Sequence, residues 1–95
     1  MLDRFRDEID TIDEQVMQLL GRRFAVCREV ADFKREQGIP MMQSARVEQV
    51  YERARERAVR YGVDPNLAAE LYRRIVGAAC DLEDRIIDGP DADRS

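Results

Sequence analysis

The chain has no histidine among its 95 residues, and it has only two cysteines. Cys27 and Cys80 occupy helical apolar positions without C-x-x-C spacing, so we expect buried, reduced thiols and no zinc or transition-metal site. A glycine-rich phosphate loop and an activated nucleophile are also missing, which leaves hydrolysis and group transfer with little support. We therefore expect neither a metal nor a cofactor.

Long apolar runs and a basic charge balance are missing as well. No stretch approaches the ~20 apolar residues of a membrane span, and no signal peptide precedes the first amphipathic pattern. Charged residues make up 38% of the chain and its net charge is −4, which argues against binding a nucleic-acid backbone. We expect a soluble cytoplasmic protein that makes no contact with membranes or nucleic acids, and any anionic ligand must be held by a local basic cluster.

What is present is helical periodicity, with no strand-like alternation and no repeats. The pattern predicts one all-α domain over residues 1–87, with helices at about 3–37, 45–61 and 65–87. Gly38 with Pro40 marks the end of the first helix, Ser44 is a candidate N-cap for the second, and Asp64-Pro65 marks the start of the third. Residues 88–95 contain almost no apolar side chains and are expected to form a disordered tail.

The first helix carries a regular apolar seam. Its spacing alternates between 4 and 3 residues, as in helices that pack against a partner helix. The seam positions are Phe5, Ile9, Ile12, Val16, Leu19, Arg23, Val26, Val30 and Phe33. Because this helix is much longer than the other two, part of its apolar face should project beyond them and be covered by a second copy of the chain.

Arg23 interrupts this seam. A buried guanidinium needs an anionic partner, a route to the surface, or a ligand that supplies negative charge. Lys34 follows 11 residues later and returns to within ~20° of the same helix face, roughly 16 Å along the axis. The two side chains can converge on one small anion, although a buried ion pair between Arg23 and a carboxylate of another helix is an equally open interpretation.

Three further charged residues are candidates. Arg6 lies ~25 Å along the axis from Arg23, so it can join the same small ligand only from another subunit. Arg46 begins the second helix and Glu83 flanks the apolar stripe of the third helix. Taken singly, each has an exposed surface role as its default interpretation.

Several segments together resemble one family, the all-helical AroQ-type chorismate mutases. They are residues 5–13 (FRDEIDTID), 19–23 (LLGRR), Lys34 and 39–46 (IPMMQSAR), and the likeness extends to about residue 87. The resemblance implies an intertwined homodimer of three-helix chains. It also implies isomerisation of a small dianionic enolpyruvyl substrate by a [3,3]-sigmatropic rearrangement, without covalent intermediate or cofactor.

The resemblance also implies roles for individual residues. Arg23 and Lys34 would be cations of the site's own chain, and Arg6 would be donated by the partner subunit. Lys34 and Glu83 would donate to the ether oxygen, Glu83 only when protonated. The implied substrate-binding residues are Met42, Gln43, Arg46, Val47 and Ala79.

The chain departs from the common family pattern at Gln43, Val47 and Glu83. Val47 replaces a glutamate that commonly holds the substrate's 4-hydroxyl, which makes plain chorismate less suitable. The strings GIPMMQ (38–43) and ACDLED (79–84) resemble the 4-amino-4-deoxychorismate mutases of antibiotic producers, and either substrate stays open. The isochorismate pyruvate lyases, which share the Arg-Val pair at the start of the second helix, are the alternative enzyme, and a non-catalytic helical dimer or regulatory partner is the alternative of another class.

Overall fold

The computed structural model describes residues 1–40 and 44–87, without the side chain of residue 44, and contains three α-helices. Helix α1 spans Asp3–Gln37, α2 spans Ser44–Tyr61 and α3 spans Pro65–Ile87. No strand occurs within these ranges, so the prediction of an all-α chain with one long and two shorter helices is confirmed. Two predicted substrate-binding residues, Met42 and Gln43, and the predicted tail at 88–95 lie outside the described residues.

Glycines end α1 and α2, and a side-chain cap begins α3. Gly38 takes a left-handed conformation with φ 66°, and the Ile39 N–H donates to the Lys34 carbonyl at 2.9 Å, which closes the last turn of α1. Gly62 takes φ 73° at the end of α2. The Asp64 carboxylate then accepts the Asn66 N–H at 2.9 Å, so α3 begins with the side-chain cap that its sequence indicates.

Helix α3 lies between the other two helices. It packs against both α1 and α2, whereas the described residues of α1 and α2 make no direct backbone approach to each other. The chain measures 58 × 28 × 16 Å, so it is a flat layer whose length is set by α1. None of the helices in the described ranges is long and apolar enough to cross a membrane.

The buried apolar residues of the described chain are all alanines. Ala54, Ala58 and Ala68 form one cluster between α2 and α3, with the Tyr72 side chain packed against it. Among the described residues, no large side chain is fully buried. A core built of alanines removes little apolar surface from water, so a single chain is weakly stabilised by its own packing.

The large apolar side chains lie instead on the open face of α1. The seam residues other than Arg23 are between 39% (Val30) and 59% (Leu19) exposed to solvent. An apolar stripe that runs from one end of a long helix to the other is typical of a helix that packs against a second helix.

Candidate active site

All three helices contribute to one cavity of about 200 Å³. The second half of α1, the first turns of α2 and the second half of α3 line it together, because α3 packs against both of the other helices. The lining residues are Arg23, Cys27, Val30, Lys34, Arg46, Val47, Val50, Val76, Ala79, Cys80 and Glu83.

The cavity lining is positively charged, whereas the chain as a whole is negatively charged. Its lining contains three cations, from Arg23, Lys34 and Arg46, and one carboxylate, from Glu83, which leaves a net charge of +2. The whole chain carries −4. A cavity of this charge with otherwise apolar walls favours a small ligand that carries two negative charges.

Lys34 and Glu83 form an ion pair across the cavity. The Lys34 ammonium donates to Glu83 Oε1 at 3.4 Å, and Glu83 is only 8% exposed. Beside it, Arg35 Nη1 donates to the Ile86 carbonyl at 3.1 Å. These two contacts hold the ends of α1 and α3 in register, so the ammonium and the carboxyl group occupy defined positions.

Arg46 and Val47 form the α2 side of the cavity. Arg46 is exposed, and its Nη1 donates to Gln49 Oε1 at 2.8 Å, one turn further along α2. Val47 is half-buried and offers a ligand only an apolar surface. The α2 wall thus combines a cation at the rim with a methyl surface beside it.

Arg23 has no carboxylate partner in the described part of the chain. It is half-buried, its Nη1 lies 3.8 Å from Cys27 Sγ, and its guanidinium lies over the Tyr72 ring at 5.8 Å from the ring centroid. The ion pairs found within residues 1–40 and 44–87, Lys34–Glu83 and Glu52–Arg55, do not include it. A structural ion pair within this part of the chain therefore does not account for the arginine in the seam, and its charge is available to a ligand.

Both thiols of the chain line the cavity and are protonated at neutral pH. Burial raises the pKa of the Cys27 thiol, against the opposing effect of the Arg23 guanidinium. Burial also raises the pKa of the Cys80 thiol, and the Glu83 carboxylate adds to that effect. The thiols therefore add no charge to the cavity at neutral pH.

The cavity brings together six of the residues that the sequence pointed to. They are Arg23, Lys34, Arg46, Val47, Ala79 and Glu83. Arg6 does not line it and is exposed on the first turns of α1. Met42 and Gln43 fall in the gap between the described ranges.

Five lining residues were not singled out from the sequence as site residues. They are Cys27, Val30, Val50, Val76 and Cys80. Helical spacing contains the signal that could have found them. Cys27 follows Arg23 by one turn, Val50 follows Arg46 by one turn, and Cys80 precedes Glu83 by three residues.

Comparison with known proteins gives a consistent result. The family model for chorismate mutase type II matches residues 5–84. The chain is 34% identical over 86 residues to a 4-amino-4-deoxychorismate mutase of Streptomyces pristinaespiralis, covering 90% of this chain and 67% of that protein. A 4-amino-4-deoxychorismate mutase of Streptomyces venezuelae is also 34% identical, over 90% of this chain and 84% of that protein.

A more distant relative has a different substrate in its name. A chorismate mutase of Methanocaldococcus jannaschii is 28% identical over 75 residues, covering 79% of this chain and 76% of that protein. The family model spans most of the chain, including every residue that lines the cavity. This chain belongs to the chorismate mutase type II family and is an isomerase.

Proposed function

We propose that the cavity binds a small dianionic enolpyruvyl ether and catalyses its [3,3]-sigmatropic rearrangement, with 4-amino-4-deoxychorismate as the preferred substrate. The observation that carries the proposal is the charge of the cavity, whose lining is +2 in a chain of −4. Its cations come from two different helices, so they can hold two carboxylates of one compact substrate.

The chemistry requires no acid, base or nucleophile. The C–O bond of the ether breaks while a C–C bond forms in one cyclic electron shift, and no proton moves. The protein contributes by holding the reactive conformation and by stabilising negative charge that grows on the ether oxygen. A millionfold acceleration requires about 8 kcal/mol of preferential transition-state stabilisation, which preorganised charges in a cavity of low polarity can supply.

Each charged residue has a distinct task in this scheme. Arg23 and Arg46 bind substrate carboxylates, and Lys34 donates to the ether oxygen. Val47 and Ala79 shape the space around the ring, and Met42 and Gln43 stay predicted substrate-binding residues. Lys34 is paired with Glu83, so a dianion that binds here must draw the ammonium away from that carboxylate.

Glu83 takes up a proton when the dianion binds beside it, and in this protonated form it acts as a second donor to the ether oxygen. The kcat/KM of the wild type should then fall as the pH rises, by up to about tenfold per pH unit, and Glu83→Gln should flatten that fall. Burial raises the pKa of both neighbouring thiols, so their titration lies at more alkaline pH. Measured pH profiles of both proteins test this expectation.

Glu52→Gln provides the matched control for that experiment. Glu52 pairs with Arg55 on the exposed side of α2, away from the cavity, so its replacement should leave the pH profile unchanged. A wild-type profile that is flat from acid to alkaline pH would contradict the donor role of Glu83.

The functional unit is a homodimer in this proposal. The exposed seam of α1 needs a partner surface, and each chain offers an apolar groove between α1 and α3, of about 260 Å³. The groove is lined by Val16, Leu19, Leu20, Arg23, Leu71, Tyr72 and Ile75. A second α1 lying along this surface carries its own Arg6 toward the cavity, which supplies a further cation.

Two observations support the amino substrate over chorismate. Both Streptomyces relatives are named for it, and Val47 presents no acceptor where the family commonly has a glutamate for the 4-hydroxyl. The archaeal relative named chorismate mutase makes chorismate the second candidate.

Product identification tests the proposed function. The protein is incubated separately with 4-amino-4-deoxychorismate, chorismate and isochorismate, and the products are separated and identified by mass spectrometry. We expect 4-amino-4-deoxyprephenate to form with a kcat/KM about tenfold or more above that for prephenate formation, the discrimination that one altered polar contact provides. Salicylate with pyruvate from isochorismate would instead identify a lyase, and no conversion of any substrate would contradict an enzymatic role for the cavity.

A further inference from the structure

The guanidinium of Arg23 is held by uncharged groups. The Tyr72 ring of α3 lies at 5.8 Å from the guanidinium carbon, and the Cys27 sulfur of α1 lies 3.8 Å from Nη1. No carboxylate of residues 1–40 and 44–87 forms an ion pair with it. Arg23 is therefore oriented without being neutralised.

A contact with an aromatic ring affects ligand binding by an arginine differently from an ion pair with a carboxylate. A carboxylate would fix the guanidinium but would compete with the ligand for its charge and its N–H donors. An aromatic face attracts the cation through the ring quadrupole and leaves the N–H groups at the edge of the plane available. A cation held in this way is preorganised for an anion.

Tyr72 is itself firmly placed. Its ring packs against the alanine cluster of Ala54, Ala58 and Ala68, and it lines the apolar groove between α1 and α3, which Arg23 also lines. It does not line the cavity that holds Lys34 and Glu83. Within one chain, its effect on a ligand must therefore pass through Arg23.

We propose that Tyr72 is a positioning residue that holds the Arg23 guanidinium toward the cavity by a cation–π contact. The proposal rests on the function proposed above, because it assigns Arg23 to a substrate carboxylate. That carboxylate is present in both the ground state and the transition state, so misplacing Arg23 weakens both and raises KM more than it lowers kcat.

Steady-state kinetics of Tyr72 variants test the proposal. Tyr72→Phe keeps the ring and should retain the wild-type KM within about twofold, whereas Tyr72→Leu should raise KM about tenfold with little change in kcat. In an Arg23→Gln background, Tyr72→Leu should have no further effect on KM, because the cation that the ring would hold has already been removed.

Tyr51→Leu is the matched control. Tyr51 carries a comparable contact, with the Arg73 guanidinium 5.7 Å from its ring centroid, and it does not line the cavity. Its replacement should leave KM unchanged. If Tyr72→Leu only reduces the folded fraction, kcat falls while KM stays at the wild-type value, and that result overturns the proposal. An equal rise in KM in the wild-type and Arg23→Gln backgrounds also overturns it.

A spectroscopic measurement separates this proposal from the proposed function. The ring current of Tyr72 should displace the side-chain N–H resonance of Arg23 in a nitrogen-correlated NMR spectrum. The displacement should persist in Tyr72→Phe and Tyr51→Leu and disappear in Tyr72→Leu. If the wild type converts none of the candidate substrates, the proposed function fails. This spectrum then tests by itself whether Tyr72 contacts Arg23. An Arg23 resonance that Tyr72→Leu leaves unchanged would refute it.

Discussion

Replacement of Arg23 by leucine should make the protein more stable and nearly inactive. Leucine restores the apolar seam of α1 and removes a half-buried cation that has no carboxylate partner in the described residues. The gain in unfolding free energy should be about 1–2 kcal/mol. In the proposed function the same change deletes a charge-assisted contact to the substrate, so kcat/KM should fall about a thousandfold. Thermal unfolding and steady-state kinetics on one preparation measure both effects.

Arg22→Leu is the control for this experiment. Arg22 is the neighbouring residue, has the same side chain and is exposed on the outer face of α1, so its replacement removes the same charge from the chain without touching the cavity. It should retain activity within about twofold, as surface substitutions away from special features usually do. Full activity in Arg23→Leu would refute the assignment of Arg23 to the substrate, and lower stability would show that its charge has a structural partner.

The fold followed from the sequence because each helix has clear local signals. The seam of α1, Gly38 at its end and the Asp64-Pro65 start of α3 depend only on neighbouring residues. Which side chains are fully buried depends instead on how closely α3 approaches α2, and in the described residues that approach buries alanines. That approach leaves the large seam residues of α1 exposed on the single chain.

The residues of the candidate site could likewise be predicted from the sequence only in part. Helical periodicity alone singled out Arg23 and Lys34, whereas Ala79 and Val47 came from the family resemblance. Neither approach predicted the Lys34–Glu83 ion pair, which joins residues 49 positions apart, nor the Tyr72 ring beneath Arg23. Both contacts depend on the register between α1 and α3, which the sequence pattern of a single helix does not contain.

Removal of the Arg6 side chain should inactivate the enzyme, although Arg6 does not line the cavity of its own chain. The rearranging dianion needs its charge balanced throughout the reaction, and a guanidinium that reaches it from the partner subunit contributes as much as one in the same chain. Arg6→Ala should therefore lower kcat/KM about a thousandfold. Because Arg6 is exposed on the first turns of α1, the thermal stability of the protein should stay nearly unchanged.

Mixing two inactive variants tests the composite site most directly. Arg6→Ala and Arg23→Ala chains are combined in equal amounts, and subunit exchange is verified by mass spectrometry of differently tagged chains. Half of the dimers are then hybrids, and each hybrid carries one site with both arginines intact, so about a quarter of wild-type activity should return. No recovery of activity after demonstrated exchange would contradict a site shared between two subunits.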